Sequence, residues 1–268
     1  MLIESKRAVE NAEYILVFAG AGMSADSHLP TYRDTEGFWN DYPLYRELNK
    51  NYVSMMSPSG FLSNPKFAWG FFGHQYQLYR NAIPHNGYQK LLELCRRKRD
   101  FFIVTTNVDG LFLKAGFPPE QLHEAHGSIH RLQCRNVCRR SVWPIKSLEL
   151  EIDYRTMRVV GSLPLCQHCD GVARPNIFMY GDTDSTYVWE EAQKGAKAFR
   201  EWREKYRNSK VLLLEIGVGA EGMKQHVQQY LKEFSNAILI RINPEIDTSY
   251  DESIIQMQSS CMEMMDSL

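Results

Sequence analysis

Four short apolar runs punctuate the chain: residues 14–19 (YILVFA), 101–105 (FFIVT), 211–216 (VLLLEI) and 238–242 (ILIRI). None alternates with polar residues, so each reads as a strand buried on both faces, as in a parallel sheet. Between them the period changes. Residues 87–98 carry Leu91, Leu92 and Cys95 at helical spacing, and residues 187–207 carry Val188, Ala192, Ala196, Phe199, Trp202 and Tyr206 on one stripe. Residues 5–11 and 223–234 also read as helices. Strands alternating with helices predict a doubly wound α/β sheet. Residues 38–82, rich in aromatics and broken by Pro58, Gly60 and Pro65, read as helices and loops outside that sheet.

Two of the runs end in glycines: Gly20-Ala21-Gly22, then Ser24, after the first, and Gly217, Gly219 and Gly222 after the third. A Gly-x-Gly turn lets a backbone approach a pyrophosphate, and it also occurs with no ligand at all. The full GxGxxG fingerprint is absent. Two glycine-ended strands in one parallel sheet can nevertheless flank the crevice where ligands bind. Asn107 and Asp109 follow the second run. Their amide and carboxylate suit recognition of a carboxamide, and equally the ordinary turn chemistry of Asn and Asp. His126 alone reads as a satisfied loop histidine. Its setting in EAHGS, on the approach to a cysteine-rich segment, makes it a candidate for chemistry.

That segment holds Cys134 and Cys138 in CRNVC, then Cys166 and Cys169 in CQHCD. Two short-spaced pairs predict a four-thiolate zinc site, closed and therefore structural. A redox Cys-x-x-Cys at Cys166 and Cys169 is the alternative, and it leaves the first pair unexplained. The stretch from about Leu132 to Ala173 is too short and polar to bury its own core, so a metal would supply the cross-link. The remaining cysteines, Cys95 and Cys261, read as small buried apolar residues.

Composition narrows the function classes. The 268 residues are 44% apolar and 24% charged, with a net charge of −1. This describes a globular chain with no global field towards nucleic acid or a membrane. The basic cluster Arg96, Arg97, Lys98 and Arg99 reads as the end of a helix, where cations suit the dipole. The N-terminal stretch does not read as a secretory signal, and no window approaches a transmembrane span. Metal-type cysteine spacing fits a reducing, cytoplasmic setting.

Taken together, the motifs resemble those of the sirtuins, NAD-dependent protein lysine deacylases. GAGMSADSHLPTYRDTEGFW resembles the family's first NAD-binding loop, TTNVDGLFLKAGF its nicotinamide-pocket strand and turn, and EAHGS its catalytic-histidine motif. The four cysteines resemble its zinc ribbon, ARPNIFMYGD its substrate segment, and EIGVGAEG and RINP its later glycine turn and strand end. The resemblance runs from about Tyr14 to Pro244, in family order.

It implies a Rossmann-like domain (1–37, 84–131 and 174–268) and a small domain of helices (38–83) and zinc ribbon (132–173). By resemblance, Gly20, Ala21, Gly22 and Ser24 cradle phosphate and ribose, and Tyr32 and Arg33 lie in the mobile loop over the nicotinamide ribose. Thr106, Asn107 and Asp109 meet the nicotinamide half, and Gly217, Gly219 and Asn243 the adenosine half. Ile177, Phe178, Met179, Tyr180 and Gly181 would hold an acyl-lysine peptide by strand-like pairing. His126 would act as general base, with Asn107 beside it at the catalytic centre. The implied products are nicotinamide, free lysine and O-acyl-ADP-ribose, with zinc remote from substrate.

Departures from the family pattern are His28 for a usual glycine, Thr106 for glutamine and Phe112 for histidine. Residues 177–182 vary the usual Val-Val-x-Phe-Gly-Glu, and Gly217-Val218-Gly219 replaces Gly-Thr-Ser, losing two hydroxyls. These changes resemble a divergent branch in which some members transfer ADP-ribose to proteins. An NAD-binding module with little turnover is a further alternative. Retention of His126 favours deacylation.

Overall fold

The computed structural model describes residues 2–31, 35–219 and 221–265. The strands are β1 (Tyr14–Ala19), β2 (Asp100–Thr105), β3 (Leu122–Glu124), β4 (Gly127–Cys134), β5 (Val142–Pro144), β6 (Glu151–Asp153), β7 (Arg158–Val160), β8 (Ala173–Ile177), β9 (Lys210–Ile216), β10 (Asn236–Asn243) and β11 (Ile255–Gln258). The helices run from α1 (Leu2–Asn11) and α2 (Gly22–Ala25) through α3 (Thr35–Asp41), α4 (Pro43–Glu47), α5 (Tyr52–Met55), α6 (Ser59–Ser63) and α7 (Pro65–Asn81). They continue with α8 (Asn86–Arg96), α9 (Leu111–Lys114), α10 (Glu190–Tyr206), α11 (Glu221–Glu233) and α12 (Cys261–Met265). No helix among the described residues is long and apolar enough to cross a membrane.

Six strands form one sheet in the order β11-β10-β9-β1-β2-β3, and every pairing is parallel. All four apolar runs lie in it. Their period of two sorts side chains to opposite faces. Ile15, Val17, Ile103, Leu212 and Leu214 enter the core on one face. Leu16, Phe18, Phe102, Val104 and Leu213 meet Phe199, Trp202 and Tyr206 of α10 and Val227 of α11 on the other. The stripe predicted on α10 is therefore core, with Ala196 at its half-buried margin. The strand order runs outward from β1 in one direction and from β9 in the other. The point of reversal lies between them, where doubly wound sheets bind ligands beyond their carboxyl ends.

The chain between β3 and β9 leaves this sheet. β4, β5 and β8 form an antiparallel three-stranded sheet, and β6 and β7 a hairpin. The aromatic-rich α7 packs against that hairpin, where a Cβ on Gly70 would stand 1.9 Å from the Met157 carbonyl oxygen. Trp69 Nε1 donates to the Ala173 carbonyl (2.8 Å), tying the same helix to β8. The basic cluster does end α8: Arg97 caps it, and Arg99 pairs with Glu13 at 2.8 Å. Cys95 and Cys261 are buried.

Candidate functional site

The two glycine turns are built against each other. The Gly22 N–H donates to the Gly217 carbonyl (3.0 Å), and a Cβ on Gly22 would stand 2.6 Å from Gly217 Cα. Gly217 itself has φ +61°, which favours glycine. Packing between the turns thus requires these glycines, and the same lack of side chains leaves bare backbone on the cleft side. Gly20, Ala21, Gly22, Gly217 and Gly219 all line a cleft of about 710 Å³, together with Thr106, Asn107, His126 and Asn243.

Behind this floor is a buried polar network. Ser24 Oγ donates to Asp109 Oδ2 (2.6 Å). A hydroxyl has one proton, so Ser24 must accept from its other neighbours, Tyr88 OH (2.9 Å) and Asn107 Nδ2 (3.0 Å). Asn107 Nδ2 also donates to the Gly20 carbonyl at 2.9 Å. Both amide protons are committed, which leaves Asn107 Oδ1 as the group offered to a ligand. Asp109 Oδ1 accepts from the Leu111 N–H at 2.8 Å, the expected turn bond, while its other oxygen serves the network. Burial raises the Asp109 pKa, offset in part by the bonds from Ser24 and Leu111.

His126 follows β3 and precedes Gly127, which opens β4. Gly127 has φ +77°, and a Cβ there would stand 2.1 Å from the Asn176 carbonyl oxygen and 2.5 Å from the Tyr187 hydroxyl. The glycine after the histidine is therefore a steric requirement. Backbone bonds hold the histidine on both sides: Ala125 N–H to Thr105 O (2.8 Å) and Phe178 N–H to His126 O (2.9 Å). The ring is open to the cleft although protein surrounds it on most sides. That desolvation lowers its pKa, which keeps the imidazole neutral and able to accept a proton.

A second, smaller cavity of about 110 Å³ meets the cleft at His126, Asn107, Thr106 and Ala21 and runs inward past Ser24, Asp109, Ile177 and Phe178. Ile177 and Phe178 line this cavity and Tyr180 the cleft, whereas Met179 and Gly181 line neither, and the segment is held from below. Arg174 and Asp182 make a buried two-pronged ion pair, Nη2–Oδ1 2.7 Å and Nη1–Oδ2 3.2 Å. Asp182 also accepts from the Met179 N–H (2.9 Å) and the Thr186 hydroxyl (2.9 Å). Tyr180 N–H donates to the Met56 carbonyl (2.8 Å), joining this segment to the end of α5.

The four cysteines converge as predicted: their Sγ atoms lie within 4.8 Å of one another. Cys134 and Cys169 are 3.7 Å apart, and Cys138 and Cys166 3.6 Å. A tetrahedron with zinc–sulfur bonds of about 2.3 Å has edges of about 3.8 Å, so the set fits zinc. The close pairs run between the two motifs, which excludes Cys166 and Cys169 as an isolated redox pair, and sulfurs this far apart are not bonded.

Tyr32 and Arg33 lie outside the described residues. Several lining residues were not singled out individually by the sequence. Leu29, Pro30 and Thr31 fall within the GAGMSADSHLPTYRDTEGFW motif, while Tyr52 and Met56 reach the cavities from α5 and the turn after it, and Tyr79 from the long helix α7. Tyr88 could have been read only as a helical core position. His28, where glycine is usual, has φ +60°.

The Sir2 family profile matches residues 20–199. A relative from Leptospira interrogans, an NAD-dependent protein deacylase, is 30% identical over 241 residues, spanning 90% of this chain and 85% of its own. One of the same name from Aeropyrum pernix is 27% identical over 265 residues, 99% of this chain and 95% of its own. Among solved structures, a Sir2 homolog–NAD complex superposes with a TM-score of 0.71 at 20% identity, covering 98% of this chain and 91% of that one. Sir2 bound to acetylated peptide gives 0.70 at 16% identity, covering 99% and 96%.

Proposed function

The chain belongs to the Sir2 family, and we propose that it removes acyl groups from protein lysines with consumption of NAD. The observation that carries this reading is the exposed imidazole of His126 where the cleft and the inner cavity meet. NAD would supply an electrophilic ribose carbon once its nicotinamide leaves. The glycine turns at Gly20–Gly22 and Gly217–Gly219 would take the phosphates and adenosine half without side-chain obstruction. Asn107 Oδ1 would accept from the carboxamide, with Ser24 and Asp109 fixing the amide's orientation. His126 would take the proton from a ribose hydroxyl, a role that needs the uncharged ring. Residues 177–181 would bind the acyl-lysine peptide as an added strand.

We assign residues 1–37, 84–131 and 174–268 to the cofactor-binding domain, and 38–83 with 132–173 to the small domain. The cysteine spacing supports a cytoplasmic setting.

The test is incubation with NAD and a panel of acyl-lysine peptides. Nicotinamide release, with transfer of the acyl group to ADP-ribose, is the expected result. His126→Ala should lose at least about 10²-fold in kcat while binding ADP-ribose normally. Because burial depresses the His126 pKa, the acid limb of the pH–rate profile should fall below the ordinary histidine value of 6.5. No nicotinamide release from any peptide by a zinc-loaded, ADP-ribose-binding protein would overturn the reading.

A further inference from the structure

Neutral donors at the far end of the cleft are largely spent on the protein itself. Val218 turns into the core, and its carbonyl accepts from Asn243 Nδ2 at 3.1 Å. Asn243 Oδ1 accepts from the Glu245 N–H at 3.2 Å. Besides Asn243, Ile246 and the exposed Thr248, this end is lined by charge: Lys224, Arg241, Asp247 and the exposed Glu245. Arg241 is fixed by Glu215 beneath it (Nε–Oε1 3.1 Å), and the Tyr250 hydroxyl donates to the other carboxylate oxygen. That pair is internally neutral and nearly inaccessible. Lys224, in the first turns of α11, meets Asp247 from the loop after β10 at 2.5 Å.

The Lys224–Asp247 pair differs from an ordinary surface ion pair. Its side chains are only 15% and 17% exposed, and both line the cleft beside Gly217 and Gly219. A compact ammonium lining the same cleft as a bare glycine turn is suited to a phosphate-bearing ligand. The adjoining carboxylate neutralises it and opposes the same ligand.

We propose that Lys224 and Asp247 form a charge-balanced specificity element for the diphosphate-bearing half of the dinucleotide, in which Lys224 attracts the ligand and Asp247 limits how tightly it is held. This rests on the reading that the cleft takes NAD. The lysine and the carboxylate therefore act with opposite signs. Limited affinity suits a site that must release a nucleotide product each turnover.

Binding of ADP-ribose and of uncharged adenosine to the full chain, by calorimetry at low salt, tests this without relying on activity. Lys224→Gln should weaken ADP-ribose binding about tenfold, the scale of one charge-assisted hydrogen bond. Asp247→Asn should tighten it about threefold or more, since the substitution removes the carboxylate paired with the ammonium. Adenosine affinity should change less than about twofold in both, and the ADP-ribose differences should shrink at about 0.5 M salt. Thermal midpoints of the two variants check that the fold persists. Unchanged ADP-ribose affinity in Lys224→Gln, or weakened affinity in a folded Asp247→Asn, overturns the proposal alone. Failure of the unsubstituted protein to bind ADP-ribose overturns it together with the NAD reading.

Discussion

Gly127 shows how one residue holds the chemistry in place. Its positive φ and the 2.1 Å approach to the Asn176 carbonyl leave no room for a side chain next to His126. Gly127→Ala should cost at least about 3 kcal/mol, combining left-handed strain with a backbone overlap. Chemical denaturation reads that loss. The fraction that stays folded should also turn over at least about tenfold more slowly, because relieving the overlap moves the imidazole. His123, three residues before His126, works in the opposite sense. Burial, reinforced by the nearby His126, lowers its pKa to about 4, and its Nδ1 has no hydrogen-bond partner among the described residues. The unfolded chain then binds a proton that the folded chain refuses between the ordinary value of 6.5 and about 4. Stability is therefore complete above that window and falls as pH drops through it, by up to about 3 kcal/mol. His123→Leu should remove that part of the acid sensitivity, as measured by denaturation at pH 7 and near pH 4.5. An unchanged pH dependence would show that this ring is not its source.

Among the elements, β8 and the segment after it carry the buried Arg174–Asp182 pair, with side chains 1% and 0% exposed. Removing one partner strands the other, so Asp182→Ala should destabilise by about 3–5 kcal/mol. The same change also releases the Met179 N–H and the Thr186 hydroxyl, so the KM for acyl-peptide should rise more than the KM for NAD. Equal effects on both would count against a role for the pair in shaping residues 177–181. This pair also marks where legibility ends. The four central strands were readable because each is a run of apolar residues buried on both faces, and that signal is local. β3 (Leu122–Glu124) and β11 (Ile255–Gln258) are edge strands of three and four residues, half polar, and their identity comes from the neighbour they pair with. The glycines, His126 and the cysteines stood out because a turn, a motif or a metal restricts the residue type. Tyr52, Met56 and Tyr88 reach the site only through tertiary packing, and nothing in their local spacing separates them from core. The hydroxyl direction from Tyr88 through Ser24 to Asp109 required all three partners to be in place.

At the scale of the molecule, the cleft is lined both by the carboxyl ends of a parallel sheet that closes its own hydrogen bonds and by segments attached to ribbon strands whose four cysteines fit zinc. One apolar core joins the two, running from Ile15 and Leu214 under the sheet to Phe71, Trp143 and Cys166. The ribbon strands β4 and β8 also deliver residues to the site: β4 begins at Gly127, next to His126, and β8 ends at Ile177. A zinc held there would thus be coupled to His126 through backbone register, although none of the four cysteines lines the two cavities. Cys138 and Cys169 are exposed while Cys134 and Cys166 are buried, so a chelator has access from outside without unfolding the sheet. Removing zinc should leave four thiols within 4.8 Å of one another with nothing to hold them together. The β4–β8 ladder would loosen first, and His126 and residues 177–181 would lose their shared frame. The expected outcome is release of one zinc per chain, loss of most acyl-lysine turnover and retention of ADP-ribose binding, because the glycine turns belong to β1 and β9. Far-UV dichroism should change little, since the six parallel strands do not pass through the ribbon. Restoring zinc should restore turnover. Full activity in the metal-free protein would break the proposed link between ribbon and histidine, and loss of ADP-ribose binding along with turnover would show that the sheet itself depends on the metal.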